Sequence, residues 1–218
     1  MCKNWPDFPV GVAGASGGLI GDIVMICGGT DQFSYFDECY SLTPQKTTLV
    51  THMSVGRRSA ASIILNDNTL WVTGGHNGSY LASTEIVKVD GTMPGPVLPM
   101  AIVGHAMVAI NTTFSMVIGG NHENYENIDS ISSTFYYDHI ECEWINGPSL
   151  MQSRKYHAAG IVMDEVTNEN LAAVTGGWNY GYLDSTELLQ DGKWVKGKIN
   201  DFICYLLVIY DPRILLQH

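Results

Sequence analysis

The sequence predicts an all-β chain made of four copies of one four-stranded unit, and three observations carry that expectation. A Gly-Gly pair closing an apolar run recurs at Gly28-Gly29, Gly74-Gly75, Gly119-Gly120 and Gly176-Gly177, at intervals of 46, 45 and 57 residues. The runs ahead of those pairs, 23–27, 70–73, 114–118 and 171–175, are short and nearly continuous in apolar residues, the pattern of strands buried on both faces. Nowhere does a 3.6-residue period persist long enough to argue for a helix.

Further anchors fix the unit in order along the chain. Ser83-Thr84, Ser133-Thr134 and Ser185-Thr186 stand 50 and 52 residues apart, Gly95-Pro96 and Gly147-Pro148 stand 52 apart, and so do His105 and His157. Trp144 and Trp194 add an interval of 50. In the second unit the four strands, a to d, read as 59–65, 70–73, 85–89 and a weak edge near Val97. The distance from Gly-Gly to the next anchor is nine residues in three units and fourteen in the third, where one loop has grown by five. Four-stranded sheets repeating about every 50 residues suit a radial propeller, in which each small sheet hides its faces against its neighbours. The missing helices exclude a doubly wound fold.

These residues resemble the kelch repeat, whose mark is an apolar strand ending in Gly-Gly, followed by spaced aromatic residues and a Trp in the last strand. The third and fourth units match best, with Gly119-Gly120, Tyr136 and Trp144, and Gly176-Gly177 and Trp194. The first two units have no Trp in the fourth strand, and Lys198 stands where a Pro is expected after Gly197. The reading is a kelch-type β-propeller of four four-stranded blades, about 10–53, 54–100, 101–150 and 151–197, after a lead-in of residues 1–9 and before a divergent tail of residues 198–218. With 218 residues and a period near 51 the chain holds about 4.3 units. Kelch propellers usually close with six or seven, so the resemblance implies an incomplete, open propeller and a fragment.

Composition limits the partners. Asp and Glu number 22 against 11 Lys and Arg, a formal charge of -11, which disfavours nucleic acid and anionic membrane surfaces. The longest apolar run, 202–210, is about half of the roughly 18 residues that a membrane-spanning helix needs. The start, Met1 to Pro6, lacks an apolar signal region. The default compartment is therefore cytoplasmic, with an extracellular one following if the start is truncated. Two sequons, Asn77-Gly78-Ser79 and Asn111-Thr112-Thr113, fall in predicted turns and would suit a secreted chain. Cys27 and Cys39 fall on neighbouring strands and could bond, which would need an oxidising compartment.

The Gly-Gly pairs are not phosphate cradles, because neither a helix nor a Lys-Ser/Thr follows them. Their expected role is structural, as is that of Trp144 and Trp194. His105 and His157 read as buried packing residues, and the resemblance makes Arg58 and Arg154 blade-to-blade hydrogen-bonding arginines. Glu38, Glu85 and Glu187 share one register, where the third unit has Phe135. No catalytic residue, metal ligand or cofactor is expected.

Topology points to function more directly than any motif. In an up-and-down sheet the b-c loops and the d-a crossovers share one end, and here that end carries Phe33, Tyr35, His76, Tyr80, Tyr125, Trp178, Tyr180 and Tyr182, with Glu126, Arg58 and Arg154 beside them. About half of the aromatics are expected to plug the ends of blades. The expectation is a non-enzymatic module that binds a protein or peptide through this face. The resemblance implies a place in a larger adaptor of the cullin-RING ubiquitin ligase type. Two other classes stay open: a kelch-propeller enzyme of the copper radical oxidase or sugar isomerase type, and a scaffold that self-associates through open blade edges.

Overall fold

A computed structural model describes residues 6–65, 69–122, 130–163 and 169–197. Among the described residues there are sixteen strands and no helix. They form four antiparallel sheets, each taken from one consecutive stretch of chain with its strands in sequential order. The first sheet is β1 (Ser16–Ile20), β2 (Ile23–Cys27), β3 (Glu38–Leu42) and β4 (Thr47–His52); the second is β5 (Ala61–Ile64), β6 (Leu70–Thr73), β7 (Thr84–Lys88) and β8 (Gly91–Pro94). The third is β9 (Ala106–Ala109), β10 (Phe114–Ile118), β11 (Thr134–Asp138) and β12 (Glu143–Asn146); the fourth is β13 (Ala158–Met163), β14 (Asn170–Thr175), β15 (Thr186–Gln190) and β16 (Lys193–Lys196). This is an all-β, propeller-like arrangement. It divides into two compact units, residues 1–103 with the first two sheets and residues 104–218 with the other two.

The second strand of each sheet lies where its apolar run predicts. Leu70, Trp71, Val72 and Thr73 of β6 are all buried, and Leu70 and Val72 join Met25, Met53 and Val87 in the core of the first unit. Met116, Ile118, Val174 and Trp194 do the same in the second. Each such side chain contributes about 1.5–3 kcal/mol by leaving water. Trp194 also donates its indole N–H to the Pro148 carbonyl at 3.0 Å, tying the fourth sheet to the end of the third. Trp144 in β12 packs against Tyr137 instead.

One strand lies elsewhere than its sequence suggests. The fourth strand of the second sheet is Gly91–Pro94 and not a segment near Val97, because a tight turn at Val89-Asp90 brings Gly91 directly opposite Lys88. Gly and Pro read as strand breakers, but an edge strand needs few backbone donors and accepts both.

Each sheet is joined to the next by a crossover whose carbonyl meets the second glycine of the preceding pair. Gly29 N–H donates to Arg57 O, Gly75 to Ile102 O and Gly120 to Arg154 O, all at 2.8–2.9 Å. These second glycines hold φ near +100°, a conformation that side chains rarely adopt. A Cβ on Gly120 would lie 2.8 Å from that of His105, and one on Gly177 the same distance from that of His157.

The crossover then turns its side chain into the next sheet. Arg57 donates to the Gly74 and Ser83 carbonyls, to the Ser83 hydroxyl and to Glu85, whose carboxylate also accepts the Ser54 and Val55 N–H groups. Arg154 makes the same four contacts with Gly176, Ser185 and Glu187, and Glu187 accepts from Met151 and Gln152. Both ion pairs, at 2.8 and 2.7 Å, are buried on each side. The resemblance placed this role on Arg58; it belongs to Arg57, and Arg58 is exposed. Glu38 has no such arginine: it sits opposite His52 in the β3–β4 pair. The residues at the corresponding sequence positions, Ile102 and Phe135, are both apolar and both buried.

His105 and His157 are also buried. Burial holds each imidazole neutral, with its pKa lowered to about 3; the positive charge of Arg154 adds to the effect on His157.

Two outcomes follow from this core. Because a lone buried charge is costly, Arg57→Ala or Glu85→Ala is expected to destabilise the first unit by about 3–5 kcal/mol in urea unfolding. Arg57→Ile with Glu85→Phe, the residue types that stand at the corresponding sequence positions 102 and 135, is expected to recover most of that loss; failure to recover would show that the charges themselves are required. The histidines are protonated in the unfolded chain below their ordinary pKa of 6.5 but not in the folded one. Their stabilisation is therefore complete above pH 6.5 and lost as pH falls toward 3, at about 2 kcal/mol per histidine by about pH 5. Unfolding of His105→Gln and His157→Gln across that window is expected to show a shallower pH slope than the parent, and an unchanged slope would contradict the assignment.

Candidate partner-binding face

The glycine that receives the crossover also sets the loop after the second strand. The carbonyls of Gly29, Gly75, Gly120 and Gly177 accept, each at 2.9 Å, from Phe36, Leu81, Ile131 and Leu183, closing the b-c loop at its far end. Inside that closure the residue after the glycine forms bridges in two directions. In the second sheet Arg58 and His76 exchange backbone hydrogen bonds at 3.0 Å, and His76 also pairs with Tyr80. In the fourth sheet Lys155 and Trp178 exchange them at 3.1 and 2.8 Å, and Trp178 pairs with Tyr182. The two sheets thus carry the same ladder, a cation, an aromatic ring and a tyrosine. The first and third sheets have Ala13-Thr30-Tyr35 and Asn121-Ser130 in the corresponding bridges.

In the first unit the ladder is extended by the neighbouring sheet. The Tyr35 ring meets His76 edge-on at 5.4 Å, His76 meets Tyr80 at 5.7 Å, and the Arg58 guanidinium carbon stands 6.0 Å from the Tyr35 centroid. A cation over a ring face at that distance is attracted by about 0.5–1 kcal/mol when exposed. His76 Nδ1 accepts the Gly78 N–H, which steadies the ring. Phe33 is 91% exposed at the tip of the first b-c loop. That tip is held by Asp31, whose carboxylate accepts from Phe33 and Ser34, and these bonds lower its pKa.

In the second unit Trp178 and Tyr182 pack edge-to-face at 4.8 Å. Tyr180 is 80% exposed at the loop tip with a positive φ of 54°. The Ser130 hydroxyl donates to Asn179 Oδ1 at 2.8 Å and links this loop to its neighbour in the third sheet.

Of the residues expected on this face, Phe33, Tyr35, Arg58, His76 and Tyr80 lie together in the first unit, and Trp178, Tyr180 and Tyr182 in the second. The expectation that about half the aromatics plug blade ends is too high: of these, Phe33, Tyr35, Trp178, Tyr180 and Tyr182 are all exposed. Tyr125 and Glu126 lie outside the described residues. Arg154 is a correction, since it is wholly buried and cannot touch a partner; the more accessible cation of that crossover is Lys155, the next residue, which is half-buried. Sequence does hold the signal for the exchange. Arg57-Arg58 and Arg154-Lys155 each follow an apolar residue by four positions, Met53 and Leu150, whereas counting back from Gly-Gly misleads because the β13–β14 hairpin, from Ala158 to Thr175, is longer by five than the β5–β6 hairpin, from Ala61 to Thr73.

Other places offer less. A groove on the first sheet is lined by Phe8, Val12, Ile26 and Leu42. Among the described residues no group of three or more His, Cys, Asp or Glu side chains is placed to hold a metal ion.

No family model matches the sequence, and no curated protein matches it. Among solved structures, 185 chains match. One is the structure of YjhT, with a TM-score of 0.72 and 14% sequence identity, over 89% of this chain and 73% of that one. At that identity the likeness is one of fold alone, shared by two sequences that have little else in common.

Proposed function

We propose that the chain is a kelch-type β-propeller module, an open set of blades, that binds a protein or peptide segment through the b-c loops and crossovers and performs no chemistry of its own. The observation that carries this reading is the repeated ladder, Arg58-His76-Tyr80 with Tyr35, and Lys155-Trp178-Tyr182. Tyrosine, tryptophan and arginine are the residues that dominate binding energy at protein interfaces, because they bring large rigid area with a polar handle. Here Tyr35, Arg58, Trp178 and Tyr182 stand exposed on loops whose backbones are tied at both ends, so little ordering entropy is lost when a partner docks. The two ladders are equivalent in register, each within its own sheet.

Affinity capture from native extract, followed by titration of the captured partner, tests the reading. Tyr35→Ala with Tyr80→Ala, and separately Trp178→Ala with Tyr182→Ala, are each expected to weaken binding by about 30-fold, the equivalent of about 2 kcal/mol. Ile140→Ser, at the opposite end of the third sheet, is expected to bind like the parent. Full retention of binding by both double variants, with the fold intact by circular dichroism, would refute the proposal.

A further inference from the structure

Cys27 and Cys39 face each other across the β2–β3 pair and form a disulfide, closing the first b-c loop over a separation of 12 residues. Both are buried in the core of the first unit. Protein disulfides persist where the compartment is oxidising. In the secretory pathway that compartment is also where Asn-X-Ser/Thr sequences receive glycans.

Asn111-Thr112-Thr113 forms the β9–β10 turn, with Asn111 and Thr112 exposed. The Asn111 Oδ1 atom accepts two backbone hydrogen bonds, from Thr113 and Phe114, each at 2.8 Å. The carbonyl half of the amide is thus occupied in an Asx-type turn, which also brings the hydroxyl-bearing residue of the sequon back beside the asparagine. The Nδ2 atom, the one that reacts, has no hydrogen-bond partner among the described residues. No proline interrupts or follows the sequon.

We propose that Asn111 is an N-glycan acceptor in a chain that passes through the secretory pathway. The donor is a lipid-linked oligosaccharide diphosphate. Asn111 Nδ2 forms a bond to C1 of the reducing-end sugar and gives up one proton; the C1–O bond to the diphosphate breaks, and the lipid diphosphate leaves with the electron pair. The glycan then stands at the a-b end of the third sheet, opposite its b-c loop. The second sequon lies elsewhere in the fold. Asn77 lies between His76 and Tyr80 in the aromatic ladder, and its backbone N–H is engaged with the Ser79 carbonyl. A glycan there would cover that ladder, so the proposal is for Asn111.

The test treats the protein isolated from its native cells with peptide N-glycosidase in heavy-oxygen water, which converts a glycosylated Asn to labelled Asp. Asn111 is expected as labelled Asp, with a matching loss of apparent mass on a gel. Recovery as unlabelled Asn overturns the proposal, whatever the state of Asn77. In the same cells Asn111→Asp keeps the turn acceptor without the reacting amide, and Thr113→Ala keeps the amide without the hydroxyl. Both are expected to lose the gel shift assigned to Asn111, while Thr113→Ser keeps it. Persistence of the full shift in Thr113→Ala would equally overturn the assignment, even if Asn111→Asp failed to fold.

Discussion

Arg57 and Arg154 are the points on which the rest of the structure hangs. Each sits on the crossover between two sheets, gives its carbonyl to a glycine of the sheet behind and sends its guanidinium into the sheet ahead. Ordinary cores join layers by apolar packing, which leaves the angle between them loosely set. A guanidinium with four directed hydrogen bonds fixes that angle, and a carboxylate that also caps two N–H groups of the crossover fixes the loop on which the arginine stands. Desolvation makes such a pair expensive: burial lowers the pKa of Arg57, and Glu85 opposes that effect. Ile102 and Phe135, at the corresponding sequence positions, are the apolar alternative.

The binding face is a consequence of this arrangement. The residue after the buried arginine is the more accessible of the two: with Arg57 turned inward, Arg58 is exposed, and with Arg154 inward, Lys155 is half-buried. Their backbones then pair with His76 and Trp178, and those with Tyr80 and Tyr182. An aromatic ladder at the surface is thus fastened, through two residues of backbone, to a buried arginine in each unit. Such loops can carry large exposed rings without collapsing onto the surface.

Much of this was legible in the sequence, and the reasons for the rest are specific. The second strands and the Gly-Gly ends could be read because burial on both faces demands unbroken apolar runs and because a positive φ favours glycine. β8 could not, since Gly91 and Pro94 look like breakers until the edge position is known. Arg57 and Arg58 are chemically identical neighbours, and only the crossover's backbone decides which one is buried. Arg154 was read as both a blade-to-blade contact and a partner contact, and its burial retains the first alone. The Cys27–Cys39 pairing followed from neighbouring strands, but the oxidising compartment it needs is a matter of cell biology that spacing does not encode.

The central claim is that the buried clamp holds the exposed ladder in place, and amide hydrogen exchange at single-residue resolution tests it most directly. If the account is right, the His76 and Trp178 amides, which lie in surface loops but donate to the Arg58 and Lys155 carbonyls, exchange as slowly as those of Gly29 and Gly120. Arg57→Ala would then release His76 along with Gly29. Exchange of His76 and Trp178 in the parent protein at the rate of an open loop, with Gly29 and Gly120 still protected, would contradict it.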